Sequence, residues 1–366
     1  MFFSSLRTKA FRNLADNETF TEAKDVFLVG ENGQGKSNFL EAIYFCAYAS
    51  SFRTTHDREL ACNTINEKNY SANIKLSHSI NDEINVKYEN NKKLILINNK
   101  RADDRKELLS IAPTIVFCHE DMEFVSGSPE RRRWFFDQTL SLYDPVYLDD
   151  LRRYKKVLKT RNAILRDYSQ LKQHSYKSEN PESILEALDH QFAMYGLKLI
   201  EKREKAVKDF SSLFSALYEE VSGISGINVQ YINSWKDGDI ISVLRDKRAA
   251  EMASGLSLSG PHRDRYIFNY NGSDFTVNAS TGQRRLLALL LRAAQSRRYS
   301  AETRQNPVLL LDDVLLEMDS EKRRRFLSVL PSYDQAFYTF LPDEPYQRYR
   351  KEDTLVYTVK NGQLFN

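Results

Sequence analysis

Eight residues, Gly30-Glu31-Asn32-Gly33-Gln34-Gly35-Lys36-Ser37, constrain this chain more than any others. They follow the apolar run Val26-Phe27-Leu28-Val29 and lead into Phe39-Leu40-Glu41-Ala42-Ile43, so a strand, a glycine-rich turn and a helix start stand in the spacing G-x-x-x-x-G-K-S. Glycines let the backbone turn its N–H groups inward around a phosphate, and the helix N-terminus behind them adds partial positive charge. The expected ligand is a nucleoside triphosphate, with Lys36 reaching its β- and γ-phosphates and Ser37 holding Mg²⁺. A glycine-rich turn that binds nothing is the bland alternative.

A matching half lies near the other end. Val308-Leu309-Leu310-Leu311-Asp312-Asp313 reads as a buried strand ending in two carboxylates, which cost free energy there unless a cation is close. Asp312 is the expected metal organiser and Asp313 the expected general base for an attacking water, with Lys36 beside them in catalysis. Ser280-Thr281-Gly282-Gln283-Arg284 precedes Leu286-Leu287-Ala288-Leu289-Leu290-Leu291, a helix apolar all round, whose free N–H groups suit an anion; ordinary N-capping by Ser280 is the other reading. One core is thus expected from both chain ends.

The 366 residues allow two or three cores, and we expect breaks giving 1–125, 126–255 and 256–366. Residues 1–29 read as paired strands turning at Asn13, and residues 70–99 as an antiparallel sheet. Between the halves, residues 148–171 and 185–217 carry apolar side chains at spacings of three and four, broken at Ser178-Glu179-Asn180-Pro181, which predicts a coiled-coil hairpin arm. The first of these helices carries Arg152, Arg153, Lys155, Lys156, Lys159, Arg161 and Arg166 against Asp150 and Asp167. With 53 basic and 50 acidic residues overall, such local clustering is what would make a nucleic-acid surface, together with Arg131 and Arg132 after the helix start Ser128-Pro129-Glu130. A plain solvated face is the rival. Arg12 is near enough to reach a bound nucleotide, or is an ordinary surface arginine. No apolar run approaches a membrane span, and a secretory leader is not expected, so a cytoplasmic protein is. Cys46, Cys62 and Cys118 lack metal-ligand spacing and read as core residues in a reduced compartment.

Phe11-Arg12-Asn13, residues 30–37, Gly127-Ser128-Pro129-Glu130-Arg131-Arg132-Arg133, Leu256-Ser257-Leu258-Ser259-Gly260-Pro261-His262-Arg263-Asp264, Gly282-Gln283-Arg284 and Leu309-Leu310-Leu311-Asp312-Asp313-Val314-Leu315 together resemble the RecF family of bacterial recombination mediators. The resemblance runs nearly end to end. It implies an α/β fold with an ABC/SMC-like P-loop ATPase head and an inserted helical arm lobe. It further implies an ATP-dependent homodimer that binds double-stranded DNA and single/double-strand junctions, hydrolyses ATP slowly, and works with RecR at gaps and in the SOS response, associated with the nucleoid. Carried over, Ser280, Gly282 and Gln283 are signature residues acting on the γ-phosphate of a second copy. Thr281, Arg265, Leu316 and His119 depart from the usual pattern. Three rivals stay open on the residues themselves: a transporter's ATP-binding subunit, a small-molecule kinase, and an ATP-binding clamp without turnover.

Overall fold

The computed structural model describes residues 2–62, 69–77, 82–102, 104–171, 181–235, 239–315 and 318–366, the side chains of 170, 171 and 181 excepted. The chain divides into two units, Met1–Met122 with Thr281–Asn366, and Glu123–Ser280. Both chain ends therefore build the first unit. The expected boundary at 255/256 is corrected to Ser280/Thr281. Strand Arg265–Tyr270 pairs with Asn228–Ile232, and Asp264 is ion-paired to Arg203, which ties residues 256–280 to the second unit.

In the first unit a sheet runs in the order Gln363–Phe365, Thr354–Lys360, Asp25–Val29, Gln335–Phe340, Val308–Leu311, Thr114–Phe117, parallel except for the first strand. Its four inner and far-edge strands are buried along their whole length, as uninterrupted apolar runs of a doubly covered parallel sheet should be. A second, antiparallel sheet holds Glu18–Phe20, Phe2–Lys9, Tyr70–Ser77, Asp82–Glu89, Lys92–Ile97 and Lys100–Arg101. Within residues 1–29, Phe2–Lys9 pairs with Glu18–Phe20, but the expected second strand ending at Val29 does not join them: Asp25–Val29 enters the parallel sheet. Alternating side chains suit a half-covered sheet and an unbroken apolar run suits a core strand, so the two segments go to different layers.

Helix Lys36–Tyr48 lies between the sheets. Leu6, Ile74 and Val86 from one sheet share a core with Val26, Leu28 and Phe337 from the other, and Phe39, Leu40, Ile43 and Phe45 of the helix fill the middle. Each such side chain contributes about 1.5–3 kcal/mol by burial, which fixes the helix N-terminus at the carboxyl ends of the parallel strands.

In the second unit, helices Pro145–Leu171 and Pro181–Ser222 pack antiparallel: Tyr147 meets Arg203, Tyr154 stacks on Phe192, and Arg161 pairs with Asp189. The predicted hairpin is present, and its expected break at 178–180 lies outside the described residues. A third helix, Ile240–Ser254, packs on the pair. We did not expect it, although Asp239 at its N-cap and Gly255, with φ 70°, at its C-cap are ordinary start and stop signals.

Candidate functional site

The residues that constrain the sequence most converge in the first unit. Between strand Asp25–Val29 and helix Lys36–Tyr48 the chain turns with Gly33 at φ 77° and Gly35 at φ 115°. At Gly35 a Cβ would also stand 3.1 Å from Asn13 Oδ1, a tight contact added to the backbone strain. Glu31, Asn32 and Gly33 are exposed and Lys36 is buried, its Nζ donating to the carbonyls of Gly30 (2.7 Å) and Glu31 (3.1 Å). The ammonium is thus already held over the concave side of the turn.

Ser37 Oγ donates to Asp312 Oδ1 at 2.8 Å across 275 residues of sequence. Asp312 and Asp313 sit just past strand Val308–Leu311, and Thr339, at the end of the neighbouring strand, joins them. Its hydroxyl takes the Asp313 N–H at 2.8 Å and stands 3.2 Å from Asp312 Oδ1 and 2.9 Å from Asp313 Oδ1. Asp313 is held at φ 52°, a conformation that costs a non-glycine residue about 1 kcal/mol or more and that aims its carboxyl into the site. Burial, and then the charge of Asp313, push the Asp312 carboxyl up to about 6, against the opposing pull of the Ser37 hydrogen bond and Arg53. Two half-buried carboxylates, with a serine hydroxyl between Asp312 and the phosphate turn, form a site short of positive charge. Among the described residues no cluster of three or more His, Cys, Asp or Glu could hold a metal. Two protein oxygens, Ser37 Oγ and an Asp312 oxygen, suit Mg²⁺, which keeps waters and takes substrate phosphates for its other positions.

Arg12 stands beside Asn13, which is bonded to the turn at the Gly33 carbonyl. Its guanidinium grips the fully buried Glu41 of the same helix in a bidentate pair, at 2.9 and 3.0 Å. Arg53, which sequence reasoning missed, lies 3.6 Å from Glu41 and donates to Asn38 at 2.7 Å. Three further residues were missed. Asn13 donates to the Gly33 carbonyl at 3.0 Å, and the turn Asn361-Gly362 donates to Gln34, at Oε1 (2.7 Å) and at the carbonyl (2.8 Å). The hairpin turn was legible as a turn; that it would brace the phosphate loop was not.

Ser280 and Gly282 are exposed, and the space around Gly282 is open, at the start of the helix Thr281–Thr303. Gln283 is half-buried there.

In the second unit the basic residues sort by exposure. Arg152, Arg153, Lys155, Lys156 and Lys159 all face solvent, Arg153 lying over the Tyr195 ring. Arg131 is exposed, 4.0 Å from Glu123. Two members of the expected basic surface are corrected. Arg161 is fully buried, bonded to Asp189, Glu251 and Ser257, because the third helix closes over it. Arg132 is turned inward, donating to the carbonyls of Val125 and Tyr266, to Asp274 and to Thr276. The stretch 256–264, one of those that carry the family resemblance, contains a packed hub. Asp264 accepts from Arg203 and from the Ser234 N–H, and Arg203 also binds Asp137 and the Pro261 carbonyl. His262, bonded to Tyr154, is kept neutral by burial, which lowers it to about 4. Each buried cation has its counter-charge, the condition under which burial is tolerable.

Comparison with known proteins agrees with this layout. The family described as RecF/RecN/SMC N terminal domain matches residues 2–362. The DNA replication and repair protein RecF of Treponema pallidum (strain Nichols) is 41% identical over 355 residues, 96% of this chain and 97% of that protein. The protein of the same name from Staphylococcus aureus (strain JH9) is 30% identical over the full length of both. A solved structure described as the recombination mediator protein RecF with ATP in the RecFOR pathway superposes with a TM-score of 0.86 at 27% identity, covering 100% of this chain and 97% of that one. With its two-ended head, phosphate turn and paired aspartates, this chain belongs to the RecF family, within the RecF/RecN/SMC N-terminal domain group.

Proposed function

We propose that this chain is an ATP-dependent, DNA-binding recombination mediator. The observation that carries this reading is the 2.8 Å bond from Ser37 to Asp312, which joins the phosphate turn to the acidic strand end in one site. Residues 30–37 bind the triphosphate, with Lys36 exchanging its two carbonyl partners for the β- and γ-phosphates. Ser37 and Asp312 hold Mg²⁺, which neutralises phosphate charge. Asp313, aimed by Thr339, orients and deprotonates the attacking water. Arg12, held by Glu41 next to the turn, contacts the bound nucleotide.

The exposed Ser280 and Gly282, with Gln283, cover the γ-phosphate held by a second copy, so ATP favours a dimer and ADP releases it. A ligand shifts such an equilibrium only through contacts it makes in one state, and the γ-phosphate is what ADP lacks. The solvent-facing row Arg152, Arg153, Lys155 and Lys156, with Arg131, meets the DNA backbone; Arg132 supports that surface from inside. No described helix is long and apolar enough to cross a membrane, and a transporter's subunit has no use for a basic helix face. We assign the protein to gapped DNA in recombinational repair, replication and the SOS response, alongside RecR, in the cytoplasm at the nucleoid, with slow DNA-stimulated ATP hydrolysis. Sizing the protein in solution with ATP and Mg²⁺, with ADP, and as Ser280→Arg tests it. A dimer only with ATP, lost in Ser280→Arg, is expected; a monomer in all three contradicts the proposal.

A further inference from the structure

A second cavity in the first unit, of about 320 Å³, lies against the opposite face of the parallel sheet from the phosphate-loop helix. Alternation along the strands explains its floor. Val26, Leu28 and Phe337 point into the core beside that helix, so Phe27, Tyr338 and Phe340 project the other way. Leu327 and Leu330, both half-buried, form one wall.

The rim is cationic, and its one carboxylate does not balance it. Asp25 is the one carboxylate among the lining residues, and it is already bound by Lys351 at 3.0 Å and Tyr333 at 2.8 Å. Arg348 and Arg350, exposed beside Lys351, have no ion-pair partner among the described residues. Two guanidinium groups at the mouth of an apolar cleft call for an occupant with carboxylates next to a bulky apolar side chain. Arginine is suited to both demands, since its planar fork binds carboxylates bidentately.

We propose that this cleft docks an acidic peptide segment of a partner protein, one that inserts a leucine- or phenylalanine-sized side chain against Leu327, Leu330 and Phe340 and places carboxylates on Arg348 and Arg350. The volume accommodates one or two such side chains, not a folded surface. Nucleic acid fits less well, because stacking of bases needs an open ring face. Phe340 is already stacked by Tyr338 (15° between planes) and Tyr349 (10°), and Phe27 meets Tyr338 and Phe340 edge-on. The cleft is apart from the nucleotide site, and the proposal does not rest on the function assigned above.

The test is fluorescence anisotropy on the full chain with a labelled synthetic peptide of four glutamates followed by leucine and phenylalanine. Binding is expected, weakening with salt, and falling about tenfold or more in Arg348→Glu/Arg350→Glu, whose two side chains are exposed and make no ion pair among the described residues. Leu330→Ser supplies a second variant that removes the apolar wall without touching the charges, and it too weakens binding. A control peptide with serines replacing leucine and phenylalanine binds weakly. Equal binding of both peptides, or by the double variant and wild type, overturns the proposal. So does the absence of binding at about 1 mM peptide, the weak end of specific recognition. Preferential binding of an oligothymidine at this cleft, or self-association abolished by the double variant, assigns it another occupant and also overturns the proposal.

Discussion

Replacing Asp312 with asparagine separates what the site costs from what it does. The carboxyl is displaced from its ordinary value of 3.8 to about 6 in the folded chain, chiefly by burial and then by Asp313. A raised carboxyl means the folded state holds its proton more tightly than the unfolded one. The penalty for ionising it is absent below pH 3.8, grows between 3.8 and about 6, and is complete above that. At about 1.4 kcal/mol per tenfold change in proton affinity, the full penalty is about 3 kcal/mol, and at pH 4.5 about 1 kcal/mol. Asparagine carries no charge, yet its Oδ1 still accepts from Ser37 and Thr339 as Asp312 Oδ1 does. In EDTA without nucleotide, Asp312→Asn is therefore more stable than wild type, by about 1 kcal/mol at pH 4.5 and about 3 kcal/mol at pH 8. For a unit of this size the latter raises Tm by about 6–12 °C. Calorimetry at the two pH values reads it directly. A Tm difference that does not change with pH, or a destabilised variant, refutes the assignment of Asp312 as a buried carboxylate awaiting a cation. The same variant loses Mg²⁺-dependent nucleotide binding, so gain of stability and loss of function appear together.

Other perturbations follow from the same geometry. Asp313→Asn keeps ATP binding, abolishes phosphate release and leaves the ATP dimer long-lived by sizing; an unchanged hydrolysis rate removes Asp313 from the mechanism. Gly362→Ala raises KM for ATP with kcat nearly unchanged, because a Cβ there would stand 1.8 Å from the Asn13 carbonyl and push both braces off the phosphate loop. Arg161→Met leaves Asp189 and Glu251 buried without their shared cation and costs the second unit about 3–5 kcal/mol, measurable by urea denaturation. Lys155→Glu/Lys156→Glu lowers DNA affinity and flattens its salt dependence. Arg132→Ala instead lowers stability, and a flattened salt slope in that variant would place Arg132 on the DNA.

The head was legible because its signals are local. A strand, turn and helix with glycines at fixed offsets, and an apolar strand ending in aspartates, each state their backbone conformation within a dozen residues. Their meeting was legible only by combining the two halves into one site. What escaped is what the chain brings together over long separations. Arg161 reads as one more cation on a basic helix face. Its burial depends on Asp189 and Glu251, on two other helices, and no periodicity of its own helix reports them. Arg132 likewise stands in an arginine run whose neighbour Arg131 is exposed, and what sets it apart is its inward partners, Asp274 among them. The turn at Asn361-Gly362 announced itself as a hairpin, but the contact with Gln34 follows from strand Thr354–Lys360 lying beside Asp25–Val29 in the sheet, an order that sequence does not state. Asp264 stands out in sequence only as part of a motif that carries the family resemblance, and its carboxylate serves an internal network around Arg203.

The central claim is that the two chain ends make one ATP–Mg²⁺ site. Titration calorimetry of ATP with Mg²⁺ into wild type, Ser37→Ala, Asp312→Asn and the double variant tests it most directly. We predict that the double variant loses little more affinity than either single one, since both remove the same bound metal. Independent losses that add in full, or wild-type affinity indifferent to Mg²⁺, would contradict it.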